Sequence, residues 1–396
     1  MNRLHSPHQS NFGCLEKGLT LVELLVSLVV VGLLATAIFT FFLTTSQSVS
    51  QQSASGEMWQ RGRNALAIMR QAIESAGYGL PSYSQCPNGV VGVKNTGATP
   101  NALVAITASV QSTGYIYGAP YTFSTVIGGG SFGGAPATTV ASLPSLNAAS
   151  LQVNNSASLE PGDMALIVPA SSGGTCVFGE ITTVGGSGSC NGNGNGGNGG
   201  NGTITMNSGG ASCAKINTNQ IFSQLSNSNN NISNSDFTNA PLYDLGNAGF
   251  VVNQFQILDT PPGSTQTGTG TPTLYLTQYT TNSGGTPTPQ ALASGVVDLQ
   301  LQYGLGTNGT VQQWVTPGNY TPSATQNIVA VQLAMLIRSS RYLPNSLSPA
   351  SYSIMGTTYT VPTTGGPGCL QGNCQHYEYH LFQSVIPVRN GIWQGD

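Results

Sequence analysis

The chain has 396 residues, enough for one large domain or two modest ones. Only 6% are charged, against about 25% in average soluble domains, and the formal net charge is −3. There is no basic run, which argues against a nucleic-acid partner held through its phosphates. With 52 glycines and abundant Ser, Thr, Asn and Gln, the surface must be covered by neutral polar groups. That composition suits an exported, β-rich protein. It also suits an environment of extreme pH or salt, where few ionisable groups leave stability insensitive to both.

The first predicted element begins at Lys17 and stays apolar to about Leu43. From Leu24 to Leu43 there is neither charge nor proline. Twenty residues at about 1.5 Å each span roughly 30 Å, the hydrocarbon thickness of a bilayer. Ser27, Thr36 and Thr40 can return hydrogen bonds to their own helix, and Gly32 is tolerated in a membrane helix. The stretch therefore reads as a transmembrane helix. Glu23 interrupts its apolar start. A carboxylate at bilayer depth costs about 2.5–3.5 kcal/mol, so it needs a partner or the interface. A secretory signal peptide is the alternative, with Arg3 and Lys17 as its basic region and Ala35-Thr36-Ala37 as a small-x-small cleavage site. Against it, the run carries Glu23 and stays apolar past Ala37, longer than the roughly 7–15 residues of such a region.

Gly18-Leu19-Thr20-Leu21-Val22-Glu23 resembles the prepilin signature of type IV pilins and type II secretion pseudopilins. The resemblance implies cleavage by a prepilin peptidase between Gly18 and Leu19, then N-methylation of Leu19. It implies that Glu23, the fifth mature residue, faces the terminal amine of a neighbouring subunit during assembly. Leu19 departs from the phenylalanine usual in the family but keeps an apolar residue there.

After Leu43 the chain turns polar without turn signals. Helical spacing returns with Met58, Leu66, Met69 and Ile73, and Gly77-Tyr78-Gly79-Leu80-Pro81 supplies the stop. One helix from Leu19 to about Ala76 would run roughly 87 Å. Gly56 and Gly62 are positions where it could bend. The segment Arg61-Gly62-Arg63-Asn64-Ala65-Leu66, followed by Ala72-Ile73-Glu74-Ser75-Ala76-Gly77-Tyr78, resembles the helix end of PilW-type minor pilins.

From residue 85 onward the pattern is strands and loops, with strands predicted near 90–94, 102–107, 115–127, 163–168, 176–184, 250–258, 273–280, 294–303, 327–338, 352–361 and 376–389. Val297, Leu299, Leu301 and Tyr303 alternate with Asp298, Gln300 and Gln302. Val329, Val331, Leu333, Met335 and Ile337 alternate with Ala330, Gln332, Ala334, Leu336 and Arg338, which suggests a central strand covered on both faces. The segments Gly295–Gly304, Val331–Ser339 and Phe382–Asn390 are also similar to PilW-type proteins in order and content. The middle, roughly 110–250, resembles nothing nameable. Residues 185–202 are nearly all Gly, Asn and Ser and cannot bury enough apolar area to offset ordering entropy.

Cys14 lies before the expected cut, leaving Cys86, Cys176, Cys190, Cys213, Cys369 and Cys374. In an oxidising compartment these six are expected in disulfides, and six cysteines allow fifteen connectivities. Cys369–Cys374 would close a tight Leu-Gln-Gly-Asn loop, Cys190–Cys213 would clamp the glycine-rich loop, and Cys86–Cys176 follows by elimination. In a strand, His376, Glu378 and His380 would share one face, and with Cys369 and Cys374 could suggest zinc; the oxidising compartment argues against free thiolates, so no metal and no other cofactor is expected. No G-x-S-x-G, H-E-x-x-H or P-loop appears, and no catalytic residue is named.

The expected fold is α+β and type IV pilin-like: a long N-terminal α-helix, membrane-spanning in its first half, packed on a large antiparallel β-rich head. The expected divisions are a leader at 1–18, a membrane or filament-core helix at 19–43, its amphipathic continuation at 44–78, and a head at 79–396. The resemblance implies a non-enzymatic minor pilin of a type IV pilus that acts in assembly initiation or at the tip. Its partners would be the prepilin peptidase, the inner membrane, other minor pilins and the major pilin, with a tip adhesin as a further candidate. It would sit in the inner membrane with its head in the periplasm, and then in the pilus. A type II secretion pseudopilin is the alternative; a membrane-anchored periplasmic binding protein or enzyme is the reading from a different class.

Overall fold

The computed structural model describes residues 20–81, 85–86, 90–92, 104–112, 115, 117–130, 135–142, 150–170, 175–185, 202–207, 237–247, 250–260, 270–280, 287–307, 309–321, 327–344 and 346–389. Residues 186–201 of the glycine-rich loop, together with Cys190 and Cys213, lie outside them. The chain divides into two compact units, Met1–Ala54 and Ser55–Asp396.

A single helix, α1 (Leu21–Glu74), contributes to both. In the first unit its apolar side chains from Leu21 to Leu43 are exposed. Ser27, Thr36 and Thr40 donate to the carbonyls of Leu24, Gly32 and Ala37 at 2.8–2.9 Å, so their hydroxyls are satisfied within the helix. Among the described residues α1 is the one helix long and apolar enough to cross a membrane.

The second unit is β-rich, and among the described residues its strands pair antiparallel apart from one pair. Strands β1 (Val90–Gly92), β2 (Ile106–Val110) and β3 (Tyr121–Ile127) open it. The predicted strand over 115–127 is shorter because Gly118 and Ala119 both have positive φ, 76° and 50°, and form a turn before Pro120. Six short strands follow: β4 (Thr138–Ser142), β5 (Ser150–Val153), β6 (Met164–Ile167), β7 (Cys176–Val184), β8 (Gly202–Asn207) and β9 (Pro241–Asp244). Their pairing order is β7-β6-β9-β4-β5-β8, and β8 pairs back onto β7, which closes the sheet on itself as a six-stranded barrel. Its interior is filled by side chains, among them Val140, Leu151, Ile167, Val177, Ile181, Ile204, Met206 and Leu242. Strand β1 adds to β7 in parallel, and Cys86–Cys176 ties that junction with Cα atoms 5.6 Å apart.

The chain then returns to β3. Strand β10 (Val251–Leu258) pairs with it antiparallel, Val251 opposite Ile127. The barrel is thus inserted between two strands that are neighbours in one sheet. That sheet runs β12-β11-β10-β3-β2, with β11 (Thr273–Thr280) and β12 (Gln290–Ser294). Close backbone contact seals the exit: Gly129 N donates to Leu245 O at 2.8 Å, and a β-carbon at Gly130 would collide with the Asp244 carbonyl.

A four-stranded sheet completes the unit in the order β14-β13-β15-β18, from β13 (Val296–Thr307), β14 (Thr310–Val315), β15 (Asn327–Arg338) and β18 (Tyr379–Pro387). Strand β15 is central and buried on both faces. Val331, Leu333, Met335 and Ile337 face a core shared with α1, whereas Ala334 and Leu336 belong to a second cluster. The β13 reading needs correction. The pairing with β15 shifts between Val296 and Asp298, and this bulge puts Val297 in the second cluster while Val296 joins Leu299, Leu301 and Tyr303. On the polar side of β13, Asp298 and Gln300 are buried. The segment between β15 and β18 covers that face. It contains the hairpin β16 (Ser351–Ile354) and β17 (Thr357–Thr360), where one strand was expected. Met355 and Gly356 at φ 49° and 84° supply a two-residue turn of the twist hairpins favour.

Candidate functional site

The N-terminal processing residues Gly18 and Leu19 lie outside the described residues. Glu23 sits in the first turn of α1, exposed. Its backbone N–H donates to the Thr20 carbonyl at 3.0 Å and faces the Thr20 hydroxyl at 3.4 Å. Thr20 thus caps the helix, and the Thr-x-x-Glu spacing is a capping-box signal that the sequence reading passed over. A carboxylate in a first turn also complements the positive end of the helix dipole. Glu23 therefore has a local role beside any intermolecular one.

At the other end α1 packs on the sheets within the second unit. Met58, Ala65, Met69, Ala72 and Ile73 are buried in the shared core, with Leu66 partly buried against it. Gly62 lies at the contact with β18. A β-carbon there would collide with the Phe382 ring of β18, so glycine is what lets strand and helix close. Trp59 flanks this contact, 3.9 Å from the His380 ring and 5.1 Å, edge-on, from Phe382. Burial pushes the His380 imidazole below its ordinary range, with Glu378 opposing. On the neighbouring flanks, Arg63 lies 5.3 Å over the Trp59 ring, and Arg61 donates to the Ser294 carbonyl and hydroxyl at 3.1 and 2.6 Å. Glu74 accepts from Arg70 at 2.7 Å and from Arg389, beyond β18, at 3.2 Å. The Arg70 hydrogen bond holds the Glu74 carboxyl below the usual carboxylate range. Gly77, with φ 79°, ends the helical region and donates to Val126 O of β3 at 2.8 Å. The aromatic seam was missed in sequence, although Trp59 and Gly62 are three apart on a helix and His380 and Phe382 two apart on a strand, each pair on one face.

Residues 264–390, about a third of the chain, match the family described as Type IV Pilus-assembly protein W, and residues 15–39 match the Prokaryotic N-terminal methylation motif. The two matches together support a type IV pilin-like minor pilin. Comparison with curated proteins and with solved structures finds no match. The PilW region supplies the β side of the seam, with Phe382, His380 and Arg389 inside it, and the methylation motif supplies the start of α1. The barrel falls outside both. Pilin-family regions indicate a structural protein, processed by a prepilin peptidase and assembled with other pilins. The motif and the single apolar helix fit membrane anchoring and association with a pilus.

His376 and His380 do not lie on one strand. Strand β18 starts at Tyr379, so His376 lies in the preceding turn, its Nδ1 3.1 Å from Ser346 O and its ring against Tyr342. Among the described residues no three His, Cys, Asp or Glu side chains come together as a metal site. Cys369 and Cys374 are joined by a disulfide, with Cα atoms 5.2 Å apart.

Proposed function

We propose that this chain is a minor pilin of a type IV pilus that joins the complex initiating filament assembly and stays near the tip. The supporting observation is one chain that carries a methylation-motif helix, a PilW region, and a barrel inserted between β3 and β10 outside both. A shaft subunit must fit neighbours on every side, and an insertion of this size suits a terminal position better. Cleavage falls between Gly18 and Leu19, and Leu19 carries the methylated amine. In the membrane Glu23 stays at the interface, and in the filament its charge meets a neighbour's terminal amine. Removing one partner from such a pair in a low-dielectric core costs about 3–5 kcal/mol, which makes Glu23 a device for register. The mechanism is non-enzymatic: helix packing below and head contacts above.

Two measurements test this. The protein extracted from membranes should begin at methylated Leu19; a start near Ile38 would mean a cleaved signal peptide. Full-length protein captured from membranes should bring other pilins with it, and cells lacking it should make few pili. Capture of type II secretion components with normal piliation would transfer the chain to that machinery.

A further inference from the structure

The face of β15 under the covering segment holds a cation in an unusual setting. Arg338 is 2% exposed. Its Nη1 donates to Pro367 O at 3.1 Å and its Nη2 to Gly368 O at 3.3 Å, while the guanidinium lies 4.8 Å from the Tyr377 ring centre. The same Nη1 touches Cys369 Sγ and lies 3.2 Å from Cys374 Sγ. Among the described residues Arg338 makes no ion pair with a carboxylate, and its Nε has no hydrogen-bond partner. A permanently charged guanidinium thus rests against both sulfurs of a disulfide.

The two sulfurs differ in access. Cys369 is half-buried, and Cys374 is fully buried. Cys86–Cys176 contrasts on both counts. Both of its cysteines are buried, and the sulfur contact it shows is from Cys176 Sγ to a neutral carbonyl, Gln85 O, at 3.6 Å. It also closes a sequence separation of 90, against 5 for Cys369–Cys374.

We propose that Cys369–Cys374 is a site of thiol–disulfide exchange, opened by a dithiol reductant and eased by Arg338. A thiolate of the dithiol attacks Cys369 Sγ. The Cys369–Cys374 bond breaks, and its electron pair leaves on Cys374 Sγ, where the guanidinium stabilises the new thiolate. The second thiol of the reductant, as thiolate, then attacks its own sulfur in the mixed disulfide and releases Cys369 as thiolate. The reductant is oxidised to a disulfide, two electrons pass to the protein, and the two protons of the dithiol balance the two new thiols. Because the buried cation favours the reduced, anionic form, this bond opens under milder conditions than Cys86–Cys176. The opening frees the 365–374 loop from its tie over Arg338.

The test uses the intact protein in detergent, equilibrated with graded ratios of reduced to oxidised dithiothreitol. Free thiols are trapped by alkylation, and the cysteine peptides are quantified by mass spectrometry. Cys369–Cys374 should reach half-reduction at a ratio on the order of tenfold less reducing than Cys86–Cys176 requires. Equal midpoints, or prior opening of Cys86–Cys176, overturn the proposal. In Arg338→Gln the Cys369–Cys374 midpoint should move toward Cys86–Cys176 while the latter stays fixed; an unmoved midpoint in a folded variant removes Arg338 from the account. If that variant loses its native circular dichroism, the order of opening in the wild type decides alone.

Discussion

Phe382 lays its ring over the single missing side chain at Gly62, so helix α1 and strand β18 meet at a distance that only glycine allows. Gly62→Ala sets two effects against each other. Alanine improves helix propensity by about 1 kcal/mol, while overpacking costs about 1–3 kcal/mol. The overpacking should win, because the colliding group is a ring fixed by Trp59 and the shared core. Thermal unfolding should show a lower Tm for Gly62→Ala. In a Phe382→Leu background the same change should become neutral or stabilising. The same loss in both backgrounds would show that the ring is not what requires glycine.

The low charge density has a counterpart in the core. Burial pushes the Asp298 carboxyl up to about 7, against hydrogen bonds from Gln300 and Leu299 that pull it down, and its Oδ2 has no partner among the described residues. Burial likewise raises Asp163 to about 7, opposed by the Glu160 N–H and assisted by Asp244 and Glu160. Folded values above the unfolded value of about 3.9 mean that the folded state holds these protons more tightly. Their stabilising contribution is complete below about pH 4 and is lost as pH rises to 7, by about 1.4 kcal/mol for each unit of separation. Glu74 and His380 are shifted down and act in the opposite sense, Glu74 below its ordinary range and His380 below about 6.5. Both are near the surface, so the buried aspartates should dominate. Tm should rise by several degrees from about pH 8 to about pH 4.5. Asp298→Asn, which mimics the protonated group, should raise Tm at the alkaline end and leave the acid end unchanged. A rise in Tm with increasing pH would contradict this assignment.

How far these features were legible follows from the kind of signal each carries. Helix α1 reads directly, because an uncharged apolar run and then a stripe through Met58, Met69 and Ile73 are long-range patterns. The central strand β15 reads directly too, since twelve residues alternate without a glycine or proline. The barrel did not read as one. Pro241-Leu-Tyr-Asp and Ser150-Leu-Gln-Val are four-residue strands whose identity comes from their neighbours in the closed sheet. The side of Val297 depended on a bulge, which inserts an extra residue at the start of β13 and sends it to the opposite face. Met355-Gly356 hid a hairpin because methionine is not a turn residue. At the N terminus, Glu23 was legible as a charge but not as part of a cap.

Glu23 can be separated from its cap by comparing three variants. Thr20→Ala should weaken the helix start by about 1 kcal/mol without abolishing assembly, because one turn at a terminus is all it supports. Glu23→Ala should be cleaved normally yet enter pili poorly. Glu23→Gln keeps a group that can serve a capping box but removes the charge, so on the electrostatic reading it should behave like Glu23→Ala. Immunoblots of membrane and sheared-pilus fractions measure processing and incorporation separately. Normal incorporation of Glu23→Gln would make the residue a cap rather than a partner for an amine.

The insertion makes the barrel removable in principle. Ile127 and Val251 are register partners, so a short turn in place of residues 128–250 should let β3 and β10 meet as a hairpin. Strand β1 would lose its partner β7, and two further consequences of excision must be repaired. The barrel's outer face, through Met164, Leu166, Phe178 and Tyr243, covers Val126 and Val252, which would become exposed. Cys86 would lose its partner in Cys176. An excised chain carrying Val126→Thr, Val252→Thr and Cys86→Ser should therefore remain monodisperse in detergent and keep the seam between α1 and β18. Protection of Met58 and Met69, buried in the core that includes Phe382, from oxidation provides the readout. If the excised chain still enters pili but no longer supports their initiation, the barrel contributes the contacts specific to the tip. If it enters pili and initiates them as the parent does, the insertion serves neither step and the terminal position must rest on other contacts.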